Sequence, residues 1–238
     1  MTEAPNSLSI QALLPELEQA GLITRTFRRL DPDRQRAILD AILEEAAERG
    51  PTSVSIKGIA RRAGVSVGAL YTYFGSRDGL LAFAVQVCVR SMTQLVEAAG
   101  PELAAMPVRQ ALTAYVTGGL EWSRTTAALV AYFARGAYQG DPAVVDEVVR
   151  PVAEAMRATI GSILAAARAR GELRPGLDLE ATSRVVHALT VVVCDAQLLP
   201  YLNVYVQVVG DDVAPQRALA AAVDLIMSGI GAPTDEGR

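Results

Sequence analysis

Ser66, Tyr71 and Thr72 stand within seven residues of one another. They are joined at short range by Lys57, Arg61, Arg62 and Arg77. Hydroxyls with cations beside them have two chemistries open to them. One is hydrogen bonding to base edges and phosphates of a duplex, with Ala69 and the Thr72 methyl free to touch a thymine methyl. The other is nucleophilic, because Gly64-Val65-Ser66-Val67-Gly68 fits the G-x-S-x-G pattern of a hydrolase elbow. That elbow needs a strand before the serine and a His–Asp pair elsewhere. The chain has one histidine, His187, and no alternating pattern around Ser66. The nucleophilic reading is therefore set aside, and no catalytic residue is assigned. A metal site needs several His or Cys ligands at fixed spacing, and a phosphate-cradling loop needs its glycine-rich signature. Neither is present, so no metal and no cofactor is expected.

The elements that must position these side chains are two short helices and a turn. Ile56, Ile59, Ala60 and Ala63 recur at i, i+3, i+4 and i+7, one buried stripe. Ser55 can cap that helix and Gly64 can end it. Ser66 can cap the next, from Val67 to about Tyr73, with Leu70 and Phe74 facing inward. The outer surface is then Val67, Gly68, Ala69, Tyr71, Thr72 and Tyr73. Small residues followed by Tyr and Thr suit a helix whose backbone must approach something large. Periodicity alone leaves two readings open, a DNA-reading helix-turn-helix and an ordinary packed helical hairpin.

The segments Ile38-Leu39-Asp40-Ala41, Glu48-Arg49-Gly50, Ser55 to Ala60, Ala63 to Ser66, and Leu70-Tyr71 through Phe74, with Arg77 and Leu80, carry a resemblance that separates them. From about Arg34 to Leu81 the chain resembles the DNA-binding domain of the TetR family of bacterial transcriptional regulators. The resemblance implies an all-α fold, with an N-terminal three-helix DNA-binding domain and a C-terminal helical bundle that dimerises and often binds a small effector. It implies double-stranded operator DNA as a partner and a homodimer through the last two long helices. Ser55, Lys57, Ser66, Val67, Gly68, Ala69, Tyr71, Thr72, Tyr73 and Arg77 become the DNA-binding candidates, with Lys57, Tyr73 and Arg77 on phosphates. One departure is Val67, where the family commonly has Lys.

Three segments follow: 1–30 as an N-terminal extension, 31–80 as the helix-turn-helix domain, and 81–238 as the ligand-binding and dimerisation domain. Met1 to Ser7 reads as a polar, mobile segment without a secretory signal, and Leu8 to Ala20 as a short helix. The run Arg25, Arg28, Arg29 reads either as a basic arm for DNA or as the solvated face of a packed helix. Between Gly21 and Leu80 ten basic residues face seven acidic ones, a net +3, whereas residues from Leu81 onward carry −4. That asymmetry fits a basic DNA-facing end.

Asp31-Pro32 starts a helix that Gly50-Pro51 ends. A long helix from Ser76 runs to Gly100-Pro101. Further helices follow with breaks near Gly118-Gly119, Gly136, Gly140-Asp141-Pro142 and Gly171. Val204 to Val208 is open between strand and helix, and residues 232–238 read as a tail. Met92, Tyr115, Trp122, Tyr132, Phe133, Tyr138, Met156 and His187 are the effector-binding candidates, aromatic and sulfur side chains that line adaptable apolar pockets. Arg124 and Arg135 read as solvated. Cys88 and Cys194 lie in apolar stretches and read as free thiols. The apolar run Val185 to Leu199 is interrupted by His187, Asp195 and Gln197 and is shorter than the ~20 residues of a spanning helix. A cytoplasmic protein without a membrane partner is expected. The function expected is a repressor released from a palindromic operator by a small apolar effector. A ligand- or protein-binding helical protein without specific DNA binding is the alternative.

Overall fold

A computed structural model describes residues 10–50, 53–140 and 142–232. The sequence readings on residues 1–9, on Pro51, on Asp141 and on the tail beyond Ala232 lie outside the described residues. Helices dominate: α1 (Ile10–Gln19), α2 (Arg25–Arg28), α3 (Pro32–Arg49), α4 (Ile56–Ala63), α5 (Val67–Phe74), α6 (Arg77–Ala105), α7 (Val108–Thr125), α8 (Ala127–Gln139), α9 (Pro142–Val144), α10 (Arg150–Ala169), α11 (Leu179–Leu198), α12 (Pro200–Val206) and α13 (Pro215–Ile230), with a π-helical turn at Val145–Val149. The only β-pairing among the described residues is a single bridge between Leu173 and Gly231.

Two compact units form. The first holds residues 1–95 and 126–153, the second 96–125 and 154–238. In the first, α3 is built as its sequence dictates. Asp31 accepts a hydrogen bond from Arg34 N–H at 2.9 Å, and Pro32 occupies the first turn. Ile38, Ile42, Leu43 and Ala46 are fully buried. In the second, Leu112, Ile160, Ile163 and Leu164 are fully buried at the centre of a cluster completed by Val193, Val223 and Ile226.

Three breaks expected from the sequence, at Gly100-Pro101, Gly118-Gly119 and Gly136, fall inside helices, the last within α8. α6 runs through Gly100-Pro101 to Ala105. The proline removes one N–H, the partner of the Glu97 carbonyl. It does so near the helix end, where Glu97 and Ala98 are exposed and Leu103 beyond is buried. α7 passes through Gly118-Gly119 without interruption. Two helical glycines cost about 1 kcal/mol each, and burial of Val116, Leu120 and Trp122 on either side outweighs that. Residues 200–206 are helical, and the chain leaves the helix at Gln207, which takes φ +51°.

The α6–α7 turn is gripped from the loop after α10. Arg170 donates to the carbonyls of Ala104 (2.7 Å) and Met106 (2.6 Å), while Glu172 accepts from Val108 N–H at 2.6 Å. Burial pushes the Glu172 carboxyl up, but its bonds to Arg170 and Val108 outweigh that and hold it below the usual range. α6 is the one helix among the described residues long and apolar enough to cross a membrane by length and composition. Its Leu80, Phe83, Ala84, Val87 and Cys88 are buried within the protein. Both cysteines are free.

Candidate nucleic-acid interface

α4 and α5 are held by the caps their sequence promises. Ser55 Oγ accepts from Gly58 N–H at 3.1 Å, and Ser66 Oγ accepts from Ala69 N–H at 3.0 Å. Gly64 closes α4 at φ +64°, a conformation that glycine adopts without steric penalty. The outer face of α5 presents Ser66, Gly68, Tyr71 and Thr72 to solvent, with Val67 and Ala69 half-buried beside them. Tyr71 is 47% exposed, unusual for so large a ring. Thr72 Oγ1 donates to the Gly68 carbonyl at 3.0 Å, so its proton is committed to the helix and its methyl and lone pairs face outward. Lys57 is exposed and Ser55 half-buried. Arg77 is half-buried, with Asp78 at 3.9 Å.

Tyr73 departs from the outer-face reading. Its ring is buried, 5.8 Å from Phe27 and 6.2 Å from Phe74 between centroids. On the 3.6-residue period it follows Leu70 by three positions and so shares the inward stripe. Within the G-x-S-x-G segment, Ser66 is a helix cap in a helix–turn–helix rather than the tip of a strand.

Arg62, read from sequence as positive charge for DNA, is engaged inside the domain. Its guanidinium pairs with Glu44 (3.4 Å), Glu45 (3.2 Å) and Glu48 of α3. The Glu48 hydrogen bond, with the charges of all three carboxylates, raises its pKa. Glu45 is 1% exposed and also pairs with Arg49 (2.9 Å) and accepts from Ser55 N–H (3.2 Å). It fits because residue 58 is glycine: a Cβ there would stand 2.8 Å from Glu45 Oε1. A carboxylate thus tethers α4, and with it the turn into α5, to α3.

The segment before α3 is a structural part of the same site. Ile10, Leu13, Leu14, Leu17, Ile23 and Phe27 are buried. Phe27 sits among Tyr73, Phe74 (5.0 Å) and Phe83 (5.2 Å). Thr24 donates from its N–H to the Tyr73 carbonyl (2.9 Å) and from its hydroxyl to the Thr72 carbonyl (3.0 Å), which satisfies two carbonyls at the end of α5. Gln35, fully buried, donates to the carbonyls of Phe27 (3.0 Å) and Arg28 (3.1 Å) and accepts from Gln11 at 2.6 Å. Arg90 of α6 pairs with Glu16 at 2.6 Å. Residues 10–28 form two short helices packed on the domain, α1 and α2, joined through residues 20–24. Thr24, Phe27, Gln35 and Glu45 were missed as positioning residues. The visible signals were an apolar residue alone in a basic run and polar residues inside the α3 stripe.

The effector candidates divide between the units. Met92, Tyr132, Phe133 and Tyr138 belong to the first, and Tyr115, Trp122, Met156 and His187 to the second. Tyr132 is 1% exposed, whereas Tyr138 is largely at the surface. Met92 lies 3.9 Å from the buried Cys88 thiol. Arg135, read as solvated, donates to the Ala47 carbonyl at 3.0 Å and so caps α3. In the second unit the Tyr115 hydroxyl, His187 Nδ1 and Gln197 Oε1 are buried with no hydrogen-bond partner among the described residues. Burial, then the neighbouring Cys194, pushes the Tyr115 hydroxyl pKa up. Burial, then Arg157, holds His187 below its ordinary value. Burial and Asp195 raise the Cys194 thiol to about 12. Among the described residues no group of three His, Cys, Asp or Glu side chains comes together as a metal site.

Residues 38–83 match the sequence profile described as bacterial regulatory proteins, tetR family. The HTH-type transcriptional regulator BetI of Klebsiella pneumoniae (strain 342) is 36% identical over 110 residues, 44% of this chain and 54% of that protein. BetI of Escherichia coli (strain K12 / DH10B) is 38% identical over 99 residues, 40% of this chain and 49% of that protein. The chain therefore spans about half the length of the curated relatives it matches. A TetR family regulator from Chloroflexus aurantiacus has a similar fold at TM-score 0.61 and 19% identity, covering 88% of this chain and 98% of that one. So does the SmeT–triclosan complex, at TM-score 0.62 and 18% identity, covering 86% and 93%.

Proposed function

The chain belongs to the tetR family of bacterial regulatory proteins through its residues 38–83, and from that premise we propose that it is a homodimeric, DNA-binding repressor. The observation that carries the reading is the outer face of α5. Ser66, Gly68, Tyr71 and Thr72 are exposed there, on a helix that Ser66 caps and that Thr24 tethers through the Thr72 and Tyr73 carbonyls. A helix so presented can enter a major groove with Gly68 and Ala69 permitting close approach and Tyr71 and Thr72 reaching base edges. Ser55, Ser66 and Val67 stand at the entry to the two helices. Lys57 and Arg77 supply phosphate contacts, and Tyr73 contributes to the core behind them.

Two such faces in a dimer would read a palindrome with half-sites about 34–36 Å apart. Support for the dimer comes from α11 and α13, which leave Val185, Val192 and Leu225 exposed next to small Ala188, Ala220 and Ala221. Small side chains permit close helix approach. Support for a small effector comes from Tyr115 and His187, whose buried polar atoms have no hydrogen-bond partner among the described residues, and from the triclosan in the SmeT complex. In this reading the effector favours a conformation with mis-spaced reading faces, and by linkage DNA weakens effector binding by the same factor. A cytoplasmic location follows from that role.

Selection of bound sequences from a random duplex pool tests the reading, with Tyr71→Ala in parallel. The wild type should recover a palindrome and the variant should not. Absence of any enrichment at moderate salt would overturn it.

A further inference from the structure

We propose that the exposed side of α2 and its C-terminal cap, carrying Arg25 and Arg29, is a second nucleic-acid surface that binds duplex phosphates at the wall of the groove entered by α5. The inference rests on the DNA-binding reading above and extends it to a segment outside the matched residues 38–83. The geometry begins at Thr24. Its N–H and hydroxyl bond the Tyr73 and Thr72 carbonyls, so α2 starts where the recognition helix ends. Arg25 is one peptide further on from the residue that bonds the Thr72 carbonyl. α5 has eight residues and is about 12 Å long, and the major groove is about 12 Å wide. An element fastened to the end of α5 therefore stands near the groove wall, where the phosphates lie.

Charge supplies the second argument. Several cations of this domain are answered internally: Arg28 by Glu18, Arg49 and Arg62 by Glu45, Arg90 by Glu16. Arg25 and Arg29 are exposed and make no ion pair among the described residues. They stand four apart at the two ends of one turn, a spacing at which like charges repel. No carboxylate among the described residues pairs with either, whereas a line of phosphates would pair with both.

The test is a fluorescence-anisotropy titration of the full chain on a random-sequence duplex and on a duplex recovered by selection, across a series of salt concentrations. Replacing Arg25 and Arg29 together by alanine should weaken binding by a similar factor on both duplexes. It should also flatten the slope of log K against log salt by about 1.8, since each phosphate contact contributes about 0.9. Lysine at both positions should restore the slope, because a phosphate contact needs the charge, and glutamine should not. Thermal melts of the variants should match the wild type, since neither side chain has an internal partner. A wild-type slope in the alanine variant would overturn this inference alone, as would a loss that lysine fails to restore. Failure of the wild type to bind either duplex would overturn the DNA-binding reading and this surface with it.

Discussion

Glu45 shows how a single buried charge can set the position of a reading helix. Its carboxylate is held by Arg49, Arg62 and the Ser55 N–H, with room made by Gly58. Gly58→Ala should destabilise the protein by about 1–3 kcal/mol in urea melts, because the added methyl displaces a group that cannot leave without losing its partners. Arg62→Ala should lower the urea midpoint too, because it leaves the buried Glu45 carboxylate with one cation fewer. At His187 the folded protein takes up a proton less readily than the unfolded chain, since burial and then Arg157 lower its pKa. The stabilisation this gives is complete above about pH 6.5 and is lost as pH falls through the lowered value. His187→Gln should therefore flatten the dependence of stability on pH between 7 and 5, measured as denaturation midpoints across that range. Thr72→Ala should alter the sequences recovered in selection rather than the salt slope. Unaltered selectivity would remove Thr72 from the base-reading set.

At the scale of elements, α1 and α2 carry the lesson. Phe27→Ala should cost about 3–5 kcal/mol, a core value rather than a surface one, because the ring is fully buried against Tyr73, Phe74 and Phe83. A change under 0.5 kcal/mol would show that the segment is dispensable. Much of this was legible in the sequence. The stripes of α3 and α4, the caps Ser55 and Ser66, and the turn at Gly64 follow from periodicity and short-range hydrogen bonding, which one chain segment displays by itself. What was not legible depends on distant partners. Nothing near Arg62 in sequence says that three glutamates seventeen or so residues earlier will claim it. Nothing near Arg135 says that it will cap a helix eighty-eight residues away. The uninterrupted α6 and α7 likewise depend on burial outweighing the local penalties of Pro101 and Gly118-Gly119.

For the molecule as a whole, the proposed dimer predicts that Leu225→Asp with Val192→Asp shifts the protein to monomer in analytical ultracentrifugation and abolishes recovery of a palindrome, while the folded helical content persists. An unchanged oligomeric state would place the dimer elsewhere or exclude it. The bonds from Thr24 to the end of α5, with Phe27 seated in the aromatic core, bear on how such proteins can be recombined. A chimera that joins this reading head to another regulator at residue 31 would uncover Phe74 and Phe83 and release the Thr72 and Tyr73 carbonyls, inviting self-association. The interchangeable module is the head together with everything from Ile10 onward. Operators could be exchanged between regulators only by moving that larger piece.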